Sequence, residues 1–139
     1  MQLCADGWEY LNGKCYKLVV EEKNWEEARA NCVNLGAKLA EPQDPCDSEL
    51  LRHFSQISWP SEETEFRSWI GINDITTEGT FVFASSGQEV TNGYWLPTEP
   101  NNQGDEDCVH LYVKYHHLDK WNDKECDEKM LSICERNRP

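Results

Sequence analysis

The chain has 139 residues, which suits one globular domain and leaves little for a second core of ordinary size. Twenty-six Asp and Glu against thirteen Lys and Arg give a formal net charge of -13 at pH 7, which would repel phosphate backbones and anionic membranes and argues against a nucleic-acid partner. No stretch approaches the roughly 18 to 20 consecutive apolar residues of a membrane span, so no membrane insertion is expected. We expect a single domain over residues 1–139.

Cysteine content indicates the compartment. Seven cysteines are too many for a typical cytosolic domain, and they include no Cys-x-x-Cys pair of the zinc or redox type. An oxidising environment follows, so we predict a secreted or extracellular protein. Because seven is odd, at least one thiol is free, capped or bonded to another chain, and spacing alone does not decide which. The seven are Cys4, Cys15, Cys32, Cys46, Cys108, Cys126 and Cys134.

The first elements in chain order are a hairpin and a helix. Asn12-Gly13 is a strong turn dipeptide between aromatic stretches, and it predicts a small β-hairpin flanked by Cys4 and Cys15. A first helix is predicted from Asn24, with Gly36 where a C-cap is expected. Its apolar positions recur at helical spacing and are Trp25, Ala28, Cys32 and Leu35.

A second helix follows. Asp44-Pro45 offers an N-cap and a first-turn proline, and Cys46 is expected in the exposed first turn. The predicted apolar face consists of Leu50, Leu51, Phe54 and Ile57.

The chain after residue 60 alternates short aromatic or β-branched runs with turn-rich segments, which predicts strands and loops. We expect strands near residues 69–72, 80–83, 109–115 and 131–134. Residues 84–107 are rich in Gly, Asn, Pro, Ser and acid, and they predict a long irregular loop of the kind that compact domains usually keep for function. The fold class is α+β.

Acidic and amide side chains concentrate in Glu99-Pro100-Asn101-Asn102-Gln103-Gly104-Asp105-Glu106-Asp107, ahead of Cys108, and Trp121-Asn122-Asp123 follows after a short strand. Most acid in such a chain forms a solvated surface. Acid beside Asn and Gly is different, because Ca²⁺ prefers six to eight hard oxygen ligands of this kind. These two segments, Trp69-Ile70-Gly71 and the order of the cysteines together resemble the C-type lectin family in its long form, over essentially the whole chain.

The resemblance implies the C-type lectin fold, with two helices, antiparallel sheets and a long calcium-binding loop region. It also implies disulfides that join Cys4 to Cys15, Cys32 to Cys134 and Cys108 to Cys126, which leaves Cys46 unpaired. A bond between the Cys46 residues of two chains would give a disulfide-linked homodimer, and a buried or capped thiol is the alternative.

The resemblance further implies Ca²⁺ as cofactor and mannose-type glycans as partners, in glycan or microbial surface recognition. In this family, Glu-Pro-Asn accompanies mannose, fucose or N-acetylglucosamine, whereas Gln-Pro-Asp accompanies galactose types. A cis bond before Pro100 is implied in the calcium-bound state, and an ordinary surface turn is the alternative. The implied ligands of the sugar-binding ion, which also contact the sugar, are Glu99, Asn101, Glu106, Asn122 and Asp123.

A second calcium site is implied at Asp74, Glu78, Asn102, Glu106 and Asp107. Capping of a turn or helix is the alternative role for Asp74. Asn102 stands where some relatives have Asp, so its neutral amide should weaken ion binding there without abolishing it.

Two other functions compete with sugar binding. A glycosidase would need one of Glu99, Glu106 and Asp123 protonated near neutral pH, whereas a calcium ion favours all of them ionised, so no enzyme is expected. A C-type domain that binds a protein ligand is the stronger rival, although the intact set of primary ligands favours a glycan.

Histidine and aromatic residues near these segments have plainer interpretations. His53, His110, His116 and His117 lie in no metal-binding motif and are interpreted as surface or strand residues. Tyr115, His116 and His117 either rim the sugar pocket or end a solvent-facing strand. Trp121 is predicted to be a core anchor that positions Asn122 and Asp123.

Overall fold

A computed structural model of the chain describes residues 3–43, 45–58, 65–91, 95, 106–114 and 120–137. The helices are α1 (Trp25–Asn34) and α2 (Pro45–Ser58). The strands are β1 (Glu9–Leu11), β2 (Lys14–Lys23), β3 (Lys38–Leu39), β4 (Glu65–Asn73), β5 (Val82–Phe83), β6 (Cys108–Lys114), β7 (Lys120–Lys124) and β8 (Met130–Asn137). Neither helix in this described part is long and apolar enough to cross a membrane. The α+β class is confirmed.

The hairpin and the first helix form where the sequence predicts them. Asn12 and Gly13 take φ values of 47° and 91°, the left-handed pair that a two-residue hairpin turn requires, and β1 pairs with β2 on either side. The Asn24 side chain accepts a hydrogen bond from the Glu27 N–H at 2.9 Å and Glu27 returns one to the Asn24 N–H, which completes a capping box. Gly36, with φ of 73°, follows the C-cap of α1.

Helix α2 begins at Pro45 and buries Leu51 and Phe54, as its apolar spacing predicts, while Leu50 is half-buried. Cys46 is exposed in the first turn. The Asp44 cap and the side chain of Ile57 lie outside the described residues.

The strands form one sheet in the order β1-β2-β8-β4-β6-β7, with β3 added beside β8 and β5 beside β4. All pairings between these strands are antiparallel except that of β4 with β8. Two strands, β3 and β7, have no counterpart among the predicted elements. β3 has only two residues, and β7 reads Lys-Trp-Asn-Asp-Lys, whose one apolar side chain gives no alternating apolar pattern.

The core is anchored by tryptophans and by the three disulfides that the resemblance implied, which join Cys4 to Cys15, Cys32 to Cys134 and Cys108 to Cys126. Trp25 Nε1 donates to the carbonyl of Ile70 at 2.9 Å, and Trp69 Nε1 donates to the carbonyl of Lys23 at 3.0 Å. Each indole therefore buries its ring without leaving its N–H unsatisfied.

Candidate functional site

The end of β4 and the start of β6 bring two distant acidic segments together. Asn73 pairs with Cys108 across the two strands, and the Asp74 N–H donates to the carbonyl of Asp107 at 2.9 Å. Asp74 and Asp107 are therefore neighbours in space although 33 positions separate them. The sheet register places this contact at one end of the sheet.

Three carboxylates meet at this point, and we call Asp74, Glu78 and Asp107 the acidic cluster. One ligand oxygen from each lies within 4.8 Å of the others. Asp74 is only 1% exposed, Asp107 is half-buried and Glu78 is exposed. Three negative charges this close repel one another, and the repulsion is stronger where water is excluded. The donor set of carboxylate oxygens is the one that a hard cation such as Ca²⁺ prefers.

The two oxygens of Asp74 have different roles. Oδ2 accepts a hydrogen bond from the Gly79 N–H at 2.8 Å, so Asp74 does cap a turn. Oδ1 is buried and has no hydrogen-bond partner among the described residues. An orphaned buried acceptor is costly, and a cation would satisfy it. Turn capping and a metal role are thus compatible, because they use different atoms.

Burial raises the pKa of Asp74 from its usual range to about 7. The neighbouring carboxyls of Glu78 and Asp107 contribute to this rise in pKa, while the hydrogen bond from the Gly79 N–H opposes it. The cause is thus a carboxyl withdrawn from water beside other acids. A bound cation would favour the ionised form instead.

Strand β7 carries the next group of predicted ligands. His110 pairs with Asn122 and Val109 pairs with Asp123, so both ligands lie beside the strand that follows Asp107. Asp123 is 1% exposed, and Asn122 Oδ1 is a buried acceptor without a hydrogen-bond partner among the described residues.

Trp121 is the core anchor of β7, as predicted. The indole is fully buried, and its Nε1 donates to Ser48 Oγ of α2 at 3.0 Å. This bond fixes the strand position immediately before Asn122 and Asp123.

The structure treats the two predicted sites differently. Of the second-site residues, it brings Asp74, Glu78 and Asp107 together, and Glu106 precedes Asp107 in a half-buried position. Asn102 lies outside the described residues. Of the primary set, Glu106, Asn122 and Asp123 are described. The remaining predicted positions outside the described residues are Glu99, Pro100, Asn101, Tyr115, His116 and His117.

Two residues of the site have no predicted role. Asn73 Oδ1 accepts a hydrogen bond from the Ile75 N–H at 3.0 Å, an Asx-turn that directs the chain out of β4. Gly79 has a φ of 86° and supplies the N–H that binds Asp74. An Asn-Asp pair at a strand end and a glycine five residues after the acid were the available sequence indications.

Neither of the described histidines belongs to a group of side chains that could bind a metal ion. His53 is exposed on α2, whereas His110 is 1% exposed on β6 with its ring 6.1 Å from that of Trp69. The pKa of His110 is lowered to about 4, chiefly by burial and also by the positive charges of Arg67 and Lys124, while the hydrogen bond to the Leu111 carbonyl opposes this shift. His110 is therefore a neutral core residue at physiological pH.

Comparison with known proteins gives the same family over most of the chain. The family model of the Lectin C-type domain matches residues 21–136. CD209 antigen-like protein D of Mus musculus is 32% identical over 97% of this chain, and the chain spans 53% of that protein's length. The Alpha-N-acetylgalactosamine-specific lectin of Patiria pectinifera is 33% identical over 91% of this chain and 76% of that protein. A solved structure, the cow C-type carbohydrate-recognition domain of CD23 in the presence of GlcNAc2Man3 oligosaccharide, has a TM-score of 0.79 at 30% identity, covering 98% of this chain and 97% of that one.

Proposed function

Because the chain belongs to the Lectin C-type domain family, we propose that it is a calcium-dependent lectin that binds mannose-type sugars. The family binds carbohydrates or proteins and is not enzymatic. The chain spans about half the length of the mouse relative, so the activity and partners proposed are those of this domain.

The observation that carries the proposal is the acidic cluster. Three carboxylate oxygens lie within 4.8 Å of one another, and one of the carboxylates is almost completely buried with an unsatisfied oxygen. A hydrated surface patch of acid would not withdraw Asp74 from water. The arrangement fits the oxygen-rich ligand set of a Ca²⁺ site, with Glu106 and Asn102 as the further ligands.

The sugar-binding ligands are proposed beside this cluster. Asn122 and Asp123 are held on β7, and Glu106 precedes β6, which pairs with β7. Glu99 and Asn101 would complete the set. A bound Ca²⁺ would supply coordination positions for two vicinal sugar hydroxyls. The chain's own part is hydrogen bonding, since its carboxylates only accept and its Asn amides also donate.

The choice of mannose-type sugars rests on Glu99-Pro100-Asn101. Donors and acceptors must alternate correctly around the hydroxyl pair, or buried polar groups are left unsatisfied. The cow CD23 domain was solved in the presence of an oligosaccharide that contains mannose, which supports the choice. The name of the Patiria pectinifera relative specifies α-N-acetylgalactosamine, so family membership alone does not set the sugar.

Retention on mannose-agarose tests the function. The chain should be retained in calcium and released by a chelator, and Asp123→Asn should abolish retention, whereas the exposed-site control Asp127→Asn should not. In competition assays, Glu99→Gln with Asn101→Asp should shift preference from mannose towards galactose. An unchanged mannose preference would place selectivity outside these two residues.

A domain that binds calcium but binds neither mannose nor galactose would instead favour the protein-binding alternative. Calcium titration by calorimetry distinguishes this outcome from failure of the metal site, because heat of calcium binding would persist.

We also propose that residues 1–139 form one extracellular domain. One sheet contains all eight described strands, and three disulfides are stable in an oxidising compartment.

A disulfide between the Cys46 residues of two chains would give a dimer, since this thiol is exposed. Linked sites can gain about 10² to 10⁴ in avidity when the geometry permits. Non-reducing electrophoresis beside Cys46→Ser tests the dimer, and a native band at monomer size contradicts it.

A further inference from the structure

A pocket of about 330 Å³ lies where the end of β8 meets β2 and β3, on elements that carry none of the acidic cluster. Lys14, residues 36–38 and residues 135–137 line it, and three of these residues are cations: Lys14, Lys38 and Arg136. We call it the basic pocket. Its volume is at the lower end of the range for small-ligand sites, about 300 to 1,000 Å³.

Buried carboxylates hold both lysines in place. Lys14 Nζ is 3.2 Å from Glu135 Oε2, and Lys38 Nζ is 3.2 Å from Glu41 Oε1. Glu41 and Glu135 are each 3% exposed, whereas the lysine side chains are 35% and 42% exposed. An ammonium group has three donors, so neither lysine exhausts its donors on its carboxylate.

The two carboxylates are also satisfied from within the protein. Glu41 accepts hydrogen bonds from the Ser85 N–H and the Ser85 hydroxyl, both at 2.8 Å. Glu135 Oε1 accepts the Glu41 N–H at 2.6 Å. These internal donors stabilise the carboxylates independently of the lysines. The lysines can therefore donate further hydrogen bonds to a ligand.

Arg136 contributes the third cation in a fixed position. Its guanidinium lies 4.1 Å from the centroid of the Trp8 ring and donates from Nη1 to the carbonyl of Leu35 at 3.3 Å. A guanidinium has five N–H donors, so several stay available in a planar arrangement that matches an oxyanion.

Local charge decides whether an anion can bind here. Among the described residues that line the pocket or pair with its lysines, three cations and two carboxylates leave one net positive charge. The net charge of -13 belongs to the whole chain, and at physiological ionic strength exposed charges are largely screened beyond about 8 Å.

We propose that the basic pocket binds an oxyanion group, such as the sulfate or carboxylate of an acidic sugar, through Arg136, Lys14 and Lys38. The site uses no residue of the acidic cluster or of β7 and therefore does not require calcium. It would let the domain hold an acidic glycan at a place separate from the proposed sugar site.

The test is an NMR titration of the ¹⁵N-labelled full chain without calcium. Chelating resin removes the metal beforehand, because a soluble chelator is itself a polyanion. N-acetylglucosamine 6-sulfate, neutral N-acetylglucosamine and sodium sulfate are the three probes, with sodium chloride adjusted to hold ionic strength constant. The sulfated sugar and sulfate should give saturable shifts centred on residues 36–38 and 135–137, and the neutral sugar should give none. Tighter binding of the sulfated sugar than of sulfate identifies an acidic sugar as the source, whereas equal affinity identifies a free oxyanion.

Matched variants locate the site. Arg136→Gln and Lys38→Gln should each weaken binding about tenfold, the loss expected for one charge-assisted hydrogen bond. Arg29→Gln is the control, because Arg29 also lies over a tryptophan, 5.9 Å from the Trp25 ring centroid, but outside the pocket. If Arg136→Gln disturbs the fold, Lys38→Gln still decides. Shifts that do not saturate, or affinity unchanged in folded pocket variants, overturn the proposal.

Discussion

The region where α1 packs on the sheet and the acidic end of the same sheet differ in what their buried polar groups do. Beside α1, Trp25 and Trp69 donate to backbone carbonyls, and the Cys32–Cys134 disulfide joins helix to strand. At the acidic end, Asp74 Oδ1 and Asn122 Oδ1 are buried acceptors without hydrogen-bond partners among the described residues. The two tryptophans satisfy their N–H donors within the protein, whereas the two acceptors at the acidic end would be satisfied by the proposed ligand. Changes in the two regions should therefore have separable effects.

The largest effect is expected from Cys32→Ser with Cys134→Ser. This bridge joins residues 102 apart, and loop-closure entropy gives it about 4 to 5 kcal/mol. The control is Cys4→Ser with Cys15→Ser, whose partners are 11 apart and whose loss should cost about 2 kcal/mol less by the same entropy term. Urea denaturation measures both free energies of unfolding. Equal losses would mean that native contacts, not loop closure, determine the contribution.

Asp74→Asn should weaken calcium binding but stabilise the calcium-free chain. Calcium binding at the acidic cluster should weaken by at least about a hundredfold, because a charged ligand oxygen is lost. Without calcium at pH 8, the variant should be more stable than the wild type, since a buried charge beside Glu78 and Asp107 is removed. Calorimetry and urea denaturation measure the two quantities, with Asp127→Asn as an exposed control. A variant that is less stable without calcium would show that Asp74 is chiefly a turn cap.

As the pH is lowered, calcium affinity should begin to decrease at a higher pH than it would if all the ligands had ordinary carboxyl pKa values. With the pKa of Asp74 at about 7, its ionised fraction falls about tenfold from pH 8 to pH 6, and calcium affinity at the cluster should fall with it. The free energy of unfolding of the calcium-free chain should change in the opposite direction. A raised folded-state pKa makes this chain more stable as pH falls from 8 to 6.5. Calorimetric calcium titrations at these pH values test the first effect. Affinity that is constant to pH 6 contradicts it.

A further effect should come from His110 and should appear only in acid. Its folded-state pKa of about 4 is below the usual value, so the unfolded chain takes up a proton first as pH falls from 6.5 to 4. In calcium-free urea denaturation, the wild-type midpoint should therefore fall relative to His110→Phe over this range. His53→Phe, at an exposed position, is the control for replacing a histidine by phenylalanine. Parallel curves for the wild type and His110→Phe would contradict the burial argument.

Local chemistry made the hairpin and the start of α1 predictable. Asn12-Gly13 and the Asn24 cap act over a few residues, so their geometry follows from neighbours in the chain. The same holds for the apolar face of α2 at Leu51 and Phe54. The disulfide pairs came from family resemblance, because spacing alone left the pairing open.

The sequence by itself thus determined the elements whose geometry depends on neighbouring residues in the chain. By resemblance, it also determined which residues to propose as calcium ligands. Only the tertiary structure decided that Asp74 is nearly fully buried, that Asp107 lies against it, and that Lys14, Lys38 and Arg136 share a pocket. It also decided that the polar segment at β7 is a strand, because hydrogen bonds to β6 and the burial of Trp121 outweigh a weak local preference. Burial and strand register depend on contacts between residues far apart in the chain, which no local pattern encodes.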